Sequence, residues 1–389
     1  MSKPGAIIIE GHVQGLSNCR SLGEAGIPVY VVDKNRCIAA HSKYCRKFFR
    51  CPDYGTGEFA DFLIEIAQKE QIQDWVLIPS NDHAVMTLSK HKSSLENYFK
   101  VITPGWEVIQ NIYDKSRLLK IAESEDVPIP TTHYFEDEDI NEGIDIELSF
   151  PVLTKGRFGL SFYKATGKKA FLAHDEVDLE EQLNEIENVL PLDEAFTQEL
   201  IPADGANKTI SYTAFCIDGE IKTHWAGVKI REHPLQFGTA TFTKSIRADE
   251  CHRQSKPLLK ALNYSGVCEV EYLQDPRTGE YKLLEINART WLWVELAKAC
   301  GVDYAKLMYE YASGKQPDFP ESYDTDRYWR NPVTDTVHGV LGLMKGRYSI
   351  GAYISSIRQP EVVDPLFQKR DSKPGWFYLL QLLSFIRNR

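Results

Sequence analysis

Glu271-Tyr-Leu-Gln-Asp-Pro-Arg-Thr-Gly-Glu-Tyr-Lys-Leu-Leu-Glu285-Ile-Asn287-Ala-Arg289 is the stretch whose reading decides the fold. Two β-rich runs, Gly266–Gln274 and Tyr281–Asn287, flank a Pro/Gly turn, the sequence signature of an antiparallel hairpin. Side chains alternate across a strand, so Glu285 and Asn287 project on one face and pairing can bring Glu271 beside them. Carboxylates and an amide carbonyl are hard ligands that suit Mg²⁺, which keeps several waters and takes further ligands from nucleotide phosphates. Arg289 follows on the same face or at the strand's exit, where a fixed guanidinium can hold a carboxylate or phosphate bidentately. An amphipathic hairpin with a merely solvated acidic face would show the same alternation. Two features weigh against that reading: Leu283, Leu284 and Ile286 mark the strand as buried on most sides, and Asn is a poor strand residue.

The surrounding chain sets the bounds. With 389 residues, 43% hydrophobic and 26% charged, it is long enough for two or three packed layers and reads as globular. A net charge of −10 argues against a nucleic-acid-binding surface. Met1-Ser-Lys-Pro leads straight into an apolar strand, so no signal peptide is expected, and no apolar run is long enough to cross a bilayer. The eight cysteines include no Cys-x-x-Cys pair, which predicts a reduced, cytoplasmic protein. Cys37, Cys45, Cys51 and His41 lie close in sequence, but their spacing matches no standard zinc knuckle.

Outward from the hairpin, the first hundred or so residues alternate strand and helix. Strands are expected at Ala6–Glu10 and Pro28–Asp33, a loop from Gly11 to Gly15, and a helix over Ser17–Ala25, a βαβ opening that implies a parallel sheet. Gly11-His-Val-Gln-Gly15 is not Gly-x-Gly-x-x-Gly, so its glycines read as turn chemistry and a nicotinamide-dependent dehydrogenase is a poor fit. Trp75-Val-Leu-Ile-Pro79 is a further buried strand ending in Ser80-Asn81-Asp82, where open α/β sheets place ligands; Asp82 reads equally as a helix N-cap. Lys115–Ser124 reads as helix, and Phe150-Pro-Val-Leu-Thr-Lys155 as a buried strand ending in a lysine, followed by a loop over Gly156–Gly167 and a strand at Lys168–Leu172. The acidic stretch Glu136–Glu147 lies between them. A strand-end lysine beneath closing loop amides can neutralise phosphates. Gln198-Glu-Leu-Ile-Pro202 ends another strand, and Thr209–Ile217 with Glu220–Val228 forms a hairpin about Asp218-Gly219.

Lys115, the Phe150–Lys155 run, Gln198-Glu-Leu-Ile-Pro202, Glu271 and Glu285-Ile-Asn287-Ala-Arg289 occur in the order and rough spacing of the ATP-grasp superfamily, which the chain resembles over about residues 1 to 315. Within it, the chain looks most like carboxylate-amine ligases related to D-aspartate ligase and, more distantly, to carbamoyl phosphate synthase and biotin carboxylase. The resemblance implies a multidomain α/β and α+β architecture: a pre-grasp parallel α/β domain over residues 1–113, a small lid over 114–200, a C-terminal lobe with the metal site over 201–327, and an extension over 328–389. It further implies that Lys115 and Lys155 contact ATP phosphates, and that Glu199 with the backbone of Leu200 and Ile201 reads the adenine edge. Asp204 would accept from the ribose, while Glu271, Glu285 and Asn287 would hold Mg²⁺, with Mn²⁺ as a substitute. Arg289 would orient the substrate carboxylate, and Arg231, in Lys229-Ile-Arg231-Glu-His233, is the candidate second anion clamp. The reaction implied joins a small carboxylate to an amine through an acyl phosphate, releasing ADP and phosphate. Carboxylation, carbamoyl phosphate formation and silent nucleotide binding share the same nucleotide residues.

The sequence also departs from its relatives. Phe158, Phe162 and Tyr163 are bulky for a closing loop, where Lys164 or Lys169 can share the phosphate role, and Thr290-Trp-Leu-Trp293 either reshapes the acceptor pocket or packs as core. The tail, Trp376 to Ile386 with Arg387 and Arg389, is apolar with a basic end. It reads as a helix docked on the protein or on a homodimer mate, or as a peripheral bilayer contact.

Overall fold

The computed structural model describes residues 4–135, 148–202, 209–233, 238–346 and 349–387. The acidic stretch at 136–147 and Asp204 lie outside the described residues.

The front of the chain forms a five-stranded parallel sheet from β1 (Ala6–Ile9), β2 (Val29–Asp33), β3 (Cys45–Arg50), β4 (Trp75–Pro79) and β5 (Phe99–Val101), in the order β3-β2-β1-β4-β5. Ala-Ile-Ile-Ile in β1 and Val-Leu-Ile in β4 are buried throughout, as expected of strands covered on both faces. The strand order reverses at β1, so the carboxyl ends of β1 and β4 flank a crevice, the place where open α/β sheets bind ligands. The first helix, Val13–Glu24, begins at His12 and takes in most of the Gly11–Gly15 segment expected as a loop. Gly15 permits this: a Cβ there would meet the Glu10 carbonyl oxygen at 2.0 Å.

A second, four-stranded antiparallel sheet holds β6 (Thr132–Tyr134), β7 (Val152–Gly156), β8 (Phe171–Ala173) and β9 (Ala195–Glu199), in the order β6-β9-β7-β8. The segment after Lys155 differs from expectation: Gly159–Thr166 is a helix, not a loop, and β8 begins at Phe171. Phe162 anchors that helix edge-on against Phe171, over Gly156, where a Cβ would meet Phe162 Cβ at 2.2 Å. Its bulk therefore serves packing, while Tyr163 stays exposed.

The third sheet comprises β10 (Thr209–Ile217), β11 (Glu220–His233), β12 (Thr239–Ser245), β13 (Gly266–Gln274), β14 (Tyr281–Asn287), β15 (Tyr328–Arg330) and β16 (Val362–Val363), in the order β14-β13-β10-β11-β12-β15-β16. The hairpin that opened the sequence reading is β13–β14, with the bounds the sequence predicts. The segment after 327 continues this sheet: β15 pairs with β12, and β16 with β15. Asp371 is buried against the Arg20 side chain of the first helix, 2.9 Å away, and also accepts from Ser42 Oγ and the Lys43 amide. A residue 351 positions from Arg20 thus ties the end of the chain to its beginning. Phe377, Tyr378, Leu379 and Leu382 of the C-terminal helix pack on the main core. Trp291 and Trp293 are buried against Trp225, so they too serve as core.

Candidate active site

The register of β13 and β14 sets Glu271 directly opposite Glu285, and Glu269 directly opposite Asn287. Asn287 Nδ2 donates to Glu269 at 3.1 Å and to Glu271 at 3.2 Å. Glu269 belongs to the same face, and the sequence reading passed over it. Its signal was present in Cys268-Glu269-Val270-Glu271, since residues two apart on a strand share a face. Burial raises both acids: Glu269 to about 7, and Glu271 to about 8 with the charges of Glu269 and Glu285 adding to it. Three carboxylates so close cannot all ionise without cations to balance them.

Two lysines reach this acidic face from other elements. Lys115 Nζ donates to Glu285 at 2.7 Å, and its charge, helped by that hydrogen bond and opposed by burial, holds the Glu285 carboxyl down at about 2. Lys115 is the first residue of a helix, Lys115–Ser124, where a cation is disfavoured by the helix dipole; the Glu285 charge offsets this. Its position is fixed by Asp114, which caps that helix by accepting from the Ser116 and Arg117 amides and is gripped by Arg157 at 2.6 Å. The Lys115 amide in turn donates to the Arg157 carbonyl, so the helix start is tied to the strand after Lys155. Lys155, at the end of β7, donates to Gln198 on β9 at 3.1 Å. Burial, and then the nearby Lys115 charge, lower it to about 8.

Arg289 closes the other side. Its Nε and NH2 groups donate to the two oxygens of Asp82 at 2.8 and 3.0 Å, and NH2 also donates to Asn287 Oδ1 at 3.0 Å. Asp82 is thus not the helix cap. Asn81 caps that helix by accepting from the Ala84 amide, which frees the Asp82 carboxylate to face the third sheet. One ion pair therefore connects the crevice of the parallel sheet to the metal-type face of the hairpin. Glu10, at the carboxyl end of β1, is raised to about 7 by burial and then by the Asp33 charge, with Arg289 pulling the other way.

At the end of β9, Glu199 accepts from Arg277, a residue of the hairpin turn, and from Thr131 Oγ1. Arg277 is itself held by the buried Asp275 at 2.6 Å. The Leu200 amide donates to the Pro151 carbonyl at 3.0 Å, and Ile201 is buried. Arg231 has a different setting from the one expected of a second clamp. Its fork is filled by Asp335 at 2.7 and 2.9 Å, and it lies over the Phe242 ring at 4.2 Å. A buried carboxylate of the chain itself occupies the place expected for a substrate anion.

The donor set of three carboxylates and an amide fits a hard divalent cation in its chemistry. Among the described residues, no three His, Cys, Asp or Glu side chains are drawn together at coordination geometry. Glu285 leans instead to Lys115, and the Asn287 amide bridges the other two acids. Such an open arrangement suits an ion that takes part of its shell from phosphates.

A parallel front sheet, a small antiparallel sheet and a larger sheet whose acidic hairpin faces Lys115 and Lys155 define the class: the chain has the ATP-grasp fold. Comparison with known proteins agrees. The family described as carbamoyl-phosphate synthase L chain, ATP binding domain, matches residues 230–318. D-aspartate ligase from Enterococcus faecium is 23% identical over 305 residues, covering 75% of this chain and 69% of that protein. Among solved structures, N5-carboxyaminoimidazole synthetase from Staphylococcus aureus complexed with ADP superposes with a TM-score of 0.64 at 20% identity, covering 84% of this chain and 82% of the other. L-amino acid ligase from Bacillus licheniformis gives 0.63 at 14% identity, covering 84% and 79%. The chain thus has the ATP-grasp fold, and its similarities run to ligases and to biotin carboxylase. Among the described residues, no helix is long and apolar enough to cross a membrane.

Proposed function

We propose that the protein is an ATP-dependent carboxylate-amine ligase working through an acyl phosphate. The observation that carries this reading is the convergence of Glu269, Glu271, Glu285 and Asn287 with Lys115 on one side and the Asp82-bound Arg289 on the other. In this reading Lys115 and Lys155 neutralise the ATP phosphates, and Glu285, Asn287 and Glu271 hold Mg²⁺, with Mn²⁺ able to replace it. When bound, the metal supplies charge neutralisation at the β- and γ-phosphates. The hinge of Glu199, Leu200 and Ile201 lines the adenine end, and Asp204 is the proposed acceptor for the ribose hydroxyls. Arg289, held rigid by Asp82, positions the substrate carboxylate, whose oxygen attacks the γ-phosphorus as ADP leaves. The amine then attacks the acyl carbon, phosphate departs with the former carboxylate oxygen, and a proton is released. We assign Arg231 to fastening β11 to the helix that carries Asp335, and not to the reacting groups.

The similarity to D-aspartate ligase supports an amine acceptor over bicarbonate, since that relative matches along 69% of its own length. The test is nucleotide turnover by the purified protein with Mg²⁺-ATP, screened against pools of amino acids and small carboxylic acids, with hydroxylamine as a trap. ADP formation that depends on one carboxylate, together with a hydroxamate of that carboxylate, is the expected result. AMP in place of ADP, or ADP formation that depends on bicarbonate alone, would overturn it.

A further inference from the structure

The helix Pro332–Met344 is amphipathic the wrong way round for a protein in water. Its inward face carries Asp335, His338, Gly339 and Gly342, all buried, with Val333 at its first turn as the one buried apolar side chain among its described residues. Its outward face carries Val337, Val340, Leu341 and Met344, spaced i, i+3, i+4 and i+7, so they form one stripe along the helix. These four side chains are 36%, 50%, 40% and 80% exposed. The next helix, Ile350–Ile357, has no buried residue and adds Ile350 and Ile354 to the exposed apolar surface. An ordinary surface helix buries its apolar stripe; here a polar anchor holds the helix down and the apolar stripe is left outside. That anchor is Asp335, fully buried and bound by Arg231 and Arg330, each at 2.7 Å. Because the inward face is already satisfied, the helix has no reason to rotate its stripe inward.

The charge of this region points the same way. From Thr336 to Pro360 the sequence holds no Asp or Glu, while Lys345 and Arg358 stand exposed at the ends of the two helices. Across residues 328–389 there are nine Lys or Arg against four Asp or Glu, in a chain whose net charge is −10. Two of those four acids, Asp335 and Asp371, are buried in ion pairs and contribute nothing outward. In a protein that is acidic overall, the two apolar helices therefore carry exposed cations and no exposed acid, and the exposed Glu361 lies just beyond them.

We propose that the Pro332–Met344 and Ile350–Ile357 helices form a docking surface for an anionic lipid bilayer, with Val340, Leu341, Met344 and Ile350 entering the acyl boundary and Lys345 and Arg358 meeting the headgroups. A second copy of the chain is a poor occupant of this face. A twofold interface sets the same patch against itself, and this patch has cations but no acids to answer them. The C-terminal helix, Lys373–Arg387, packs Phe377, Tyr378, Leu379 and Leu382 on the core, among its described side chains, and leaves Trp376 and Leu380 exposed. We assign the docking surface to these two helices and not to the tail, an assignment that Trp376→Ser with Leu380→Ser tests. This inference stands on the surface alone and does not depend on the reaction assigned to the site.

The test is co-sedimentation of the full chain with vesicles of phosphatidylcholine, with and without phosphatidylglycerol. Binding to the anionic vesicles only is expected. Leu341→Asp with Met344→Asp should raise the lipid needed for half-binding by about tenfold or more, and Lys345→Ala by about fivefold. Trp376→Ser with Leu380→Ser, on the tail, should stay within about twofold. All of these positions are exposed, and an unchanged thermal midpoint checks that each variant folds. The proposal is overturned if the wild-type chain stays in the supernatant with anionic vesicles, or if the tail variant loses binding while the hairpin variant keeps it. It is equally overturned if the protein is a dimer in solution that Leu341→Asp with Met344→Asp dissociates.

Discussion

Asp82→Asn is the substitution that probes the site at its joint. Asp82 accepts two charge-assisted hydrogen bonds from Arg289, at 2.8 and 3.0 Å, which link the parallel sheet to the metal-type hairpin's arginine. Asn keeps the size and one acceptor but loses the charge and the bidentate match to the guanidinium. Two such bonds in a buried setting would contribute several kcal/mol, yet the Asp82 side chain is 48% exposed, so screening leaves about 1–2 kcal/mol. If Arg289 positions the carboxylate for attack, that loss appears in the chemical step, as a fall in kcat of about five- to thirtyfold. ATP affinity should change by less than about threefold, because the lysines that meet the phosphates keep their own partners in Gln198 and Glu285. The assay is steady-state ADP release at saturating carboxylate, with ATP affinity measured separately by direct binding. Unchanged kcat would refute the positioning role of Arg289, and equal losses in kcat and ATP affinity would place Asp82 in the nucleotide site instead.

Three further outcomes are expected. Glu285→Ala should lower Mg²⁺-ATP turnover by about a hundredfold or more while unfolding stays cooperative in denaturant; retained turnover would remove Glu285 from the metal site. Lys155, lowered to about 8, is charged below that pH and neutral above it, and bound phosphates favour the charged form. ATP affinity should therefore weaken as pH rises through 8, by up to about tenfold per pH unit, and Lys155→Arg should flatten the profile measured by calorimetric titration. Asp335→Ala strands two guanidinium groups, of Arg231 and Arg330, and should cost about 3–5 kcal/mol in denaturant unfolding.

The hairpin was legible because both signals it depends on are local. Strand alternation gave the shared face of Glu285 and Asn287, and the Pro/Gly turn gave the pairing partner. Glu269 is legible by the same rule, two residues before Glu271 on the same strand face. The partners of the site residues were not legible. Nothing near Arg289 in sequence announces Asp82, 207 positions away, and nothing near Glu199 announces Arg277. Such pairings are set by how the sheets pack, and alternation within one strand says nothing of them. Asp82 and Asn81 illustrate the limit more sharply: both are good caps by type, and only the fold decides that Asn81 caps while Asp82 turns outward. The helix at Gly159–Thr166 was hidden by its two flanking glycines, which suggested a loop, although Phe162 inside it packs as a core residue. Arg231 is a candidate anion clamp only by the resemblance, which sets its segment at a substrate- or phosphate-facing loop; in the fold its fork is filled by Asp335, on a segment the resemblance does not cover.

The central claim is that an acyl phosphate forms at the face shared by Glu285, Asn287 and Arg289. The most direct measurement supplies the substrate carboxylate, once the turnover screen has named it, with heavy oxygen in both carboxyl positions and follows the label by mass spectrometry during a single turnover. One labelled oxygen should appear in the released phosphate, with the other retained in the amide. Phosphate released without label, while the amide still forms, would contradict the account.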